Sequence, residues 1–406
     1  MSVSYRVRRL RVEGPEGAAR EIARVGADPA GVAKMRDKAD FLALHASGVK
    51  APGANILKQE MLSLGGEVAV SRGVVNCSVE RTDVVVLGTR KQLRSLVRKL
   101  RPQPFGLRAL AEEIRRALEP VGPFDLPWRG GVLHLSERPH VMGVLNVTPD
   151  SFSDGGDFVE PQAALDRALE MVEEGADLVD IGGESSRPGA APVPEAEELA
   201  RVLPLVEHLA PRLPVPVSVD TYKAEVARRT AEAGASVIND ISGLRLDPAM
   251  AEVAARSGCA VVVMHMRGTP RDMQADTRYA DLVGEVFAAL AQSVDTAAAA
   301  GVPRERVLVD PGIGFGKSPE GNLVLLRRLE EFASLGCAVL VGASRKSFIG
   351  HVLGIPEPKE RLEGSLAAAV VAVMHGAHVV RTHDVRATRR AVDLAWAVRR
   401  AEEEQG

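Results

Sequence analysis

Asp220, Asn239 and Asp310 each close a short apolar run, in Val217-Ser-Val-Asp220, Val237-Ile-Asn239 and Val307-Leu-Val-Asp310. Short acceptors and donor–acceptors rooted on strands suit the reading of a flat, hydrogen-bonding heterocycle. Arg187, Lys346, Arg381 and His383 stand beside comparable runs. They are cations suited to phosphate or carboxylate. A polar heterocycle carrying an anionic tail is the substrate this set implies. No thiol, serine–histidine pair or ligand cluster is spaced for a covalent nucleophile or a zinc hydrolase. The loop Asp310-Pro-Gly-Ile-Gly-Phe-Gly-Lys317 resembles a phosphate cradle, its glycines leaving backbone donors free. It is neither a Walker A motif nor a dinucleotide fingerprint. His265 is read as a structural strand-end group rather than a ligand. Asp240 serves equally as a helix cap or a site residue.

These residues need a frame that brings distant runs to one edge. Val- and Ile-rich runs at Val141–Val147, Leu178–Ile181, Val217–Asp220, Val237–Asn239, Ala260–His265, Val307–Asp310, Ala338–Val341 and Val379–Thr382 read as strands. Segments of helical period follow each, near 161–174, 195–209, 223–233, 248–256, 281–299, 320–332, 363–375 and 385–403. Eight strand–helix pairs predict an α/β fold, a (β/α)8 TIM barrel over about residues 131–404, whose chemistry gathers at the C-terminal strand ends. An open doubly wound sheet uses the same alternation and is the structural rival. Asn146, Asp180, Asp220, Asn239-Asp240, His265, Asp310, the Ser344–Ser347 run and Arg381–Asp384 all fall at those ends. Gly131-Val-Leu-His-Leu-Ser136 reads as an extra strand or hairpin closing the barrel's bottom.

The chain has 406 residues, 46% apolar and 26% charged, and this suits two to three domains with a large core. Aromatics are only 3%, so that core is aliphatic. A net charge of −3 gives no footprint for nucleic acid. Cys77, Cys259 and Cys337 are scattered and form no CxxC, which points to a reducing, cytoplasmic setting. No signal peptide or membrane span is expected. The Pro/Gly-rich run from Glu119 to Gly131 reads as a break carrying neither helix nor ladder. It divides an accessory α/β domain, residues 1–125, from the barrel domain, residues 126–406.

Met142-Gly-Val-Leu-Asn-Val-Thr-Pro-Asp-Ser-Phe-Ser-Asp-Gly-Gly156 resembles the first signature of dihydropteroate synthases, and Asp180-Ile-Gly-Gly-Glu-Ser-Ser-Arg-Pro-Gly189 the second. Ser218–Thr221, Ile238–Gly243, Met264–Gly268, Asp310–Lys317, Gly342–Gly350 and Arg381–Val385 are similar to further family motifs, in family order. The resemblance implies condensation of 6-hydroxymethyl-7,8-dihydropterin diphosphate with p-aminobenzoate, giving 7,8-dihydropteroate and diphosphate. It implies pterin contacts from Asp220, Asn239, Asp310, Lys346 and Arg381. Diphosphate would meet Asn146, Arg187, Arg381 and His383, with Mg2+ at Asn146 and Asp154. Phe152, Ser186, Arg187, Pro188, Phe315 and Ser347 would form the p-aminobenzoate pocket. Asp154, Arg187, Lys346, Arg381 and His383 would carry the catalysis. A homodimer through the late barrel helices is implied in the same way. Ser186 and Ala343 stand where the family often has Thr and Met. The rival class is a pterin-binding methyltransferase or carrier serving a corrinoid partner, which would not be expected to hold both ESSRPG and SRKSFIG.

In the N-terminal region, Tyr5–Val12 alternates like a strand, Pro52–Leu64 has helical period, and Val84–Leu87 reads as a buried strand. Thr89–Leu100 reads as a basic helix, a solvated amphipathic face rather than an anion-binding surface. The Lys50–Lys58 stretch is a candidate ligand loop with no ligand implied.

Overall fold

A computed structural model describes residues 5–10, 12, 14–119, 122–147 and 161–401. The chain forms two compact units, residues 1–120 and 121–406.

The first unit contains α1 (Gly14–Arg24), α2 (Pro29–Ala39), β1 (Phe41–Lys50), α3 (Ala51–Leu62), β2 (Glu67–Val70), β3 (Arg81–Thr89), α4 (Arg90–Leu100) and α5 (Leu107–Leu118). Its strands form an antiparallel sheet in the order β1-β3-β2. Alternation buries Val84 and Val86 of β3 with Leu57, Met61, Leu93, Leu96 and Leu107 from the helices. Thr89 caps α4 in a reciprocal capping box with Gln92. Basic residues of α4 and its C-cap are met locally: Lys99 reaches Glu60 at 2.6 Å, Arg94 pairs with Asp37, and the capping Arg101 reaches Glu112 at 3.2 Å. Lys50–Lys58 is no loop, because Ala51 starts α3 there and Gly53 packs against Phe105 and Leu107. Residues 5–10 lie in no strand, with Tyr5 and Val7 exposed. Alternation makes a strand only where a neighbouring edge takes up its hydrogen bonds.

The second unit opens with the hairpin of β4 (Asp125–Trp128) and β5 (Gly131–His134). This corrects the expectation that the Pro/Gly run carries no ladder. Pro127 sits opposite Val132 in a two-stranded sheet, where a missing N–H is tolerated on an outer strand. Phe124, Leu126 and Leu135 of this region pack on Met142, Leu178, Val262 and Leu340, plugging the N-terminal end of the barrel.

The barrel strands are β6 (His140–Asn146), β7 (Leu178–Gly182), β8 (Val217–Asp220), β9 (Val237–Asp240), β10 (Ala260–Met264), β11 (Val307–Asp310), β12 (Ala338–Val341) and β13 (Val379–Thr382). All pair in parallel, and β13 pairs with β6 to close the ring. The observed closure rules out the open sheet. The surrounding helices are α6 (Pro161–Glu173), α7 (Glu195–Leu209), α8 (Ala224–Glu232), α9 (Met250–Ser257), α10 (Leu282–Ala300), α11 (Pro319–Arg327), α12 (Ser347–Leu353), α13 (Leu362–Met374) and α14 (Val385–Arg400). α11 is shorter than expected: it ends at Arg327, and a 3-10 turn over Leu329–Leu335 completes the crossover. The short α12 is additional to the eight predicted helices.

Strand parity organises the barrel. Val179, Ile181, Val219, Val261, Val263, Val309 and Val341 point outward into the helix-facing cores. The opposite parity points inward and changes character along the axis. Leu178, Val237, Ala260, Leu308, Ala338 and Val379 fill the bottom with apolar volume. Toward the C-terminal end the same parity carries Asp180, Ser218, Asp220, Asn239, Asp310 and Arg381. A packed floor under a polar top layer keeps the reactive end dry from below.

Candidate active site

Asp180 is fully buried and organises the polar layer. Its Oδ1 accepts from Ser218 Oγ at 2.5 Å. Its Oδ2 accepts from Asn239 Nδ2 at 3.0 Å and from Arg381 Nε at 2.6 Å. The same guanidinium donates through Nη2 to Asp220 Oδ2 at 2.9 Å. Four strands, β7, β8, β9 and β13, are thereby joined by one charged network. Ser218 and Asp180 are register neighbours on paired strands, and so are Asp220 and Asn239.

Burial pushes the Asp220 carboxyl up to about 7, against the opposing pull of Arg381. Burial alone would lower the Arg381 value, but Asp180 and Asp220 hold it above its ordinary range. Asp310 is raised by burial, with Lys346 opposing. Lys346 is lowered to about 7 by burial, with Asp310 opposing. The layer thus holds one carboxyl, Asp220, and one lysine, Lys346, that burial shifts toward neutrality, a perturbation common where polar groups serve a ligand.

Lys346 donates to the Ile313 carbonyl and lies 4.2 Å from the centre of the Phe315 ring. Phe315 is buried with Ile241, Met264, Met266 and Met273 in an apolar cluster beside the polar layer. His383 meets Ser344 Oγ through Nδ1 at 3.0 Å, and burial lowers its value to about 4. Arg345 has a positive φ of 59° and pairs with Asp384 at 3.0 Å, tying the segment after β12 to the end of β13. Ser347 is exposed at the start of α12.

After β7, Ser186 is half-buried while Arg187 and Pro188 are exposed. Glu184 roots this segment, accepting from Tyr222 Oη at 2.7 Å and Lys223 Nζ at 2.5 Å. Gly189 N donates to the Pro270 carbonyl at 3.0 Å, joining the segments after β7 and β10. A narrow cleft is lined by Ser186, Glu184, Glu198, Asp220, Tyr222 and Ile241, so Ser186 and Asp220 share one space. Asn146 is half-buried at the end of β6, paired in register with Gly182. Phe152 and Asp154 lie outside the described residues.

Two strand-end residues have settled structural partners. Asp240 accepts from Ser242 N at 2.7 Å and Leu244 N at 2.8 Å, so it caps its own turn. His265 is occupied by Lys317, whose Nζ lies 2.9 Å from Nδ1. Among residues given no role from sequence, Asp180, Glu184 and Lys223 hold the site together. Asp180 shares the strand parity of Asp220, and that was the available signal. The Lys223 contacts come from elements far apart in sequence and carried none.

A closed parallel barrel with this inward polar layer is the scaffold of a pterin-binding protein, and residues 142–383 match the pterin binding enzyme family. The dihydropteroate synthase of Escherichia coli is 48% identical over 275 residues, covering 68% of this chain and 96% of its own length. The solved dihydropteroate synthase of Xanthomonas albilineans with 4-aminobenzoic acid is 45% identical, with a TM-score of 0.65, covering 69% of this chain and all of that one. A probable bifunctional folylpolyglutamate synthase/dihydropteroate synthase of Halobacterium salinarum is 43% identical over 391 residues, 96% of this chain. The chain spans only 46% of that relative, just under half its length. The chain belongs to the dihydropteroate synthase family. Coverage of 96% takes in most of the N-terminal unit, whereas the 68% shared with the Escherichia coli enzyme is no more than a barrel's length.

Proposed function

We propose that the barrel condenses 6-hydroxymethyl-7,8-dihydropterin diphosphate with p-aminobenzoate. The observation that carries this reading is the network of Asp180, Asp220, Asn239 and Arg381 beside Asp310 and Lys346, in a chain 48% identical to a synthase over nearly that enzyme's whole length. Asp220, Asn239 and Asp310 offer acceptors and an amide to the pterin edge, and Lys346 donates to its carbonyl and ring nitrogen. Arg381 stacks on the ring and joins Asn146, Arg187 and His383 at the diphosphate. To do so it shares or releases the Asp220 oxygen to which its Nη2 donates. Ser186, Arg187, Pro188, Phe315 and Ser347, with Phe152, form the p-aminobenzoate pocket, Ser347 holding the carboxylate.

Among the described residues no cluster of three or more His, Cys, Asp or Glu could hold a metal. Magnesium keeps waters and takes substrate phosphate oxygens, so it needs few protein oxygen ligands. Asn146 and Asp154 are the oxygen donors proposed for it. When bound, it neutralises charge on the diphosphate.

The substitution is dissociative. Cations around the diphosphate stabilise the departing charge, and the electron-rich dihydropterin spreads the positive charge left on its exocyclic methylene. The C–O bond to diphosphate breaks, the amine nitrogen of p-aminobenzoate forms the new C–N bond, and its proton leaves to solvent. The pocket's role is to hold that amine in line and to keep water from capturing the methylene. A cytoplasmic setting and a homodimer through the late barrel helices complete the proposal. Residues 1–125 serve an accessory role, supported by their counterpart in a bifunctional relative.

The test is diphosphate release from the pterin substrate with magnesium, with and without p-aminobenzoate. Release that depends on p-aminobenzoate and yields dihydropteroate is the expected result. Tight pterin binding without turnover would replace this reading with the methyltransferase or carrier class.

A further inference from the structure

Lys317 is 3% exposed, and its hydrogen bonds are all made to neutral groups. Nζ donates to the Phe315 carbonyl at 2.8 Å and the His265 carbonyl at 3.1 Å, and meets His265 Nδ1 at 2.9 Å. A lysine amine carries up to three N–H bonds, and three acceptors surround this one when the imidazole proton sits on Nε2; burial lowers its pKa well below the ordinary lysine range, with Asp310 opposing. Burying such a group without a contacting carboxylate is costly, so what it holds is worth asking.

It holds a loop of consecutive carbonyls, each taken by a different side chain. Ile313 O accepts from Lys346, Gly314 O from Gln274 at 3.0 Å, Phe315 O from Lys317, and Gly316 O from Tyr279 at 2.9 Å. The loop also lies hard against the end of β10. Gly312 has a φ of 69°, and a Cβ there would stand 1.9 Å from the His265 carbonyl. That is the carbonyl Lys317 holds from the other side. Lys317 therefore ties the two backbones together. Phe315 in turn packs under the Lys346 ammonium, which anchors to the same loop.

We propose that Lys317 is a positioning residue for the p-aminobenzoate subsite, acting through His265 and the Phe315 carbonyl to place the Phe315 ring. The proposal rests on the synthase reading for its substrate. It predicts a defect larger for p-aminobenzoate than for pterin: Asp180, Asp220 and Asn239 are built on β7, β8 and β9 and make no hydrogen bond to this loop, whereas Asp310 and Lys346 each make one to its backbone.

The variant is Lys317→Met, which keeps length and apolar volume but removes every donor. The KM for p-aminobenzoate should rise about tenfold or more, with kcat and pterin diphosphate affinity each changed less than about threefold. His265→Gln retains the backbone acceptor, should move the same ratio by a smaller factor, and stands in if the methionine variant does not fold. Hydrogen exchange gives a readout independent of the substrate: Gly314 and Phe315 amides should exchange faster in either folded variant, with α10 unchanged. An unaltered p-aminobenzoate KM, or equal loss of pterin and p-aminobenzoate affinity, would overturn the proposal. Unaltered exchange at Gly314 and Phe315 would overturn it even if the unmodified protein proved to have no synthase activity, so the two readings fail separately.

Discussion

Replacing Asp180 by alanine tests whether the polar layer is one unit. The carboxylate is fully buried and accepts from three side chains, Ser218, Asn239 and Arg381. Breaking a buried pair by removing one partner costs about 3–5 kcal/mol, because the other charge is left uncompensated. Here the cost falls toward the lower end. The Arg381 side chain is 20% exposed and keeps Asp220 as a partner, and a water can enter where three donors converge. We expect a loss of about 3 kcal/mol by urea unfolding, reading the transition of the barrel separately from that of the N-terminal unit. Asn239 and Arg381 also lose the group that aims them. At about 1 kcal/mol for each misaligned hydrogen bond, pterin affinity should fall roughly thirtyfold by calorimetry. Ser218→Ala is the control, removing one neutral donor and costing about 1 kcal/mol with little effect on binding. Should Asp180→Ala unfold within 1 kcal/mol of the unmodified protein and bind pterin as tightly, the network would not be what orients the site.

Two further outcomes follow from the geometry. With the Asp220 carboxyl raised to about 7 by burial, its acceptor form is depleted below that pH. Pterin affinity should therefore strengthen as pH rises from 5.5 to 7, by up to about tenfold per unit, and then level; Asp220→Asn should bind more weakly with this limb flattened, and a pH-independent affinity in the unmodified protein would contradict the assignment. Phe332 is fully buried in the helix-facing core, far in role from the polar layer. Phe332→Ala should cost about 3–5 kcal/mol in urea unfolding of the barrel and leave pterin affinity intact in the folded fraction.

The eight-fold rhythm of the barrel was legible because every strand–helix pair repeats the same local signals. Short β-branched runs end in a polar residue, and an amphipathic segment follows; each depends on neighbours in sequence. Parity belonged to the same class of information. Once β7 and β8 are strands, Asp180, Ser218 and Asp220 must share the inward face, because successive side chains alternate. The chemical character of the site, short acceptors ringed by cations, was readable from residue types alone.

Tertiary structure decided what those residues do to one another. Arg381 meets Asp180 across 201 positions of sequence, and no local pattern says that one guanidinium will span two carboxylates. Asp240 and Asp220 look alike as strand-end aspartates, yet one turns back to cap its own loop while the other faces the centre. Pro127 reads as a breaker, but the hairpin it joins is stabilised by the apolar floor it covers, and that floor exists only after the strands close. In the N-terminal unit, Tyr5–Val12 carries a strand's alternation, yet its described residues 5–10 form no strand. Periodicity is written along the chain, whereas the partners that satisfy hydrogen bonds and desolvate charges are chosen only when distant segments meet.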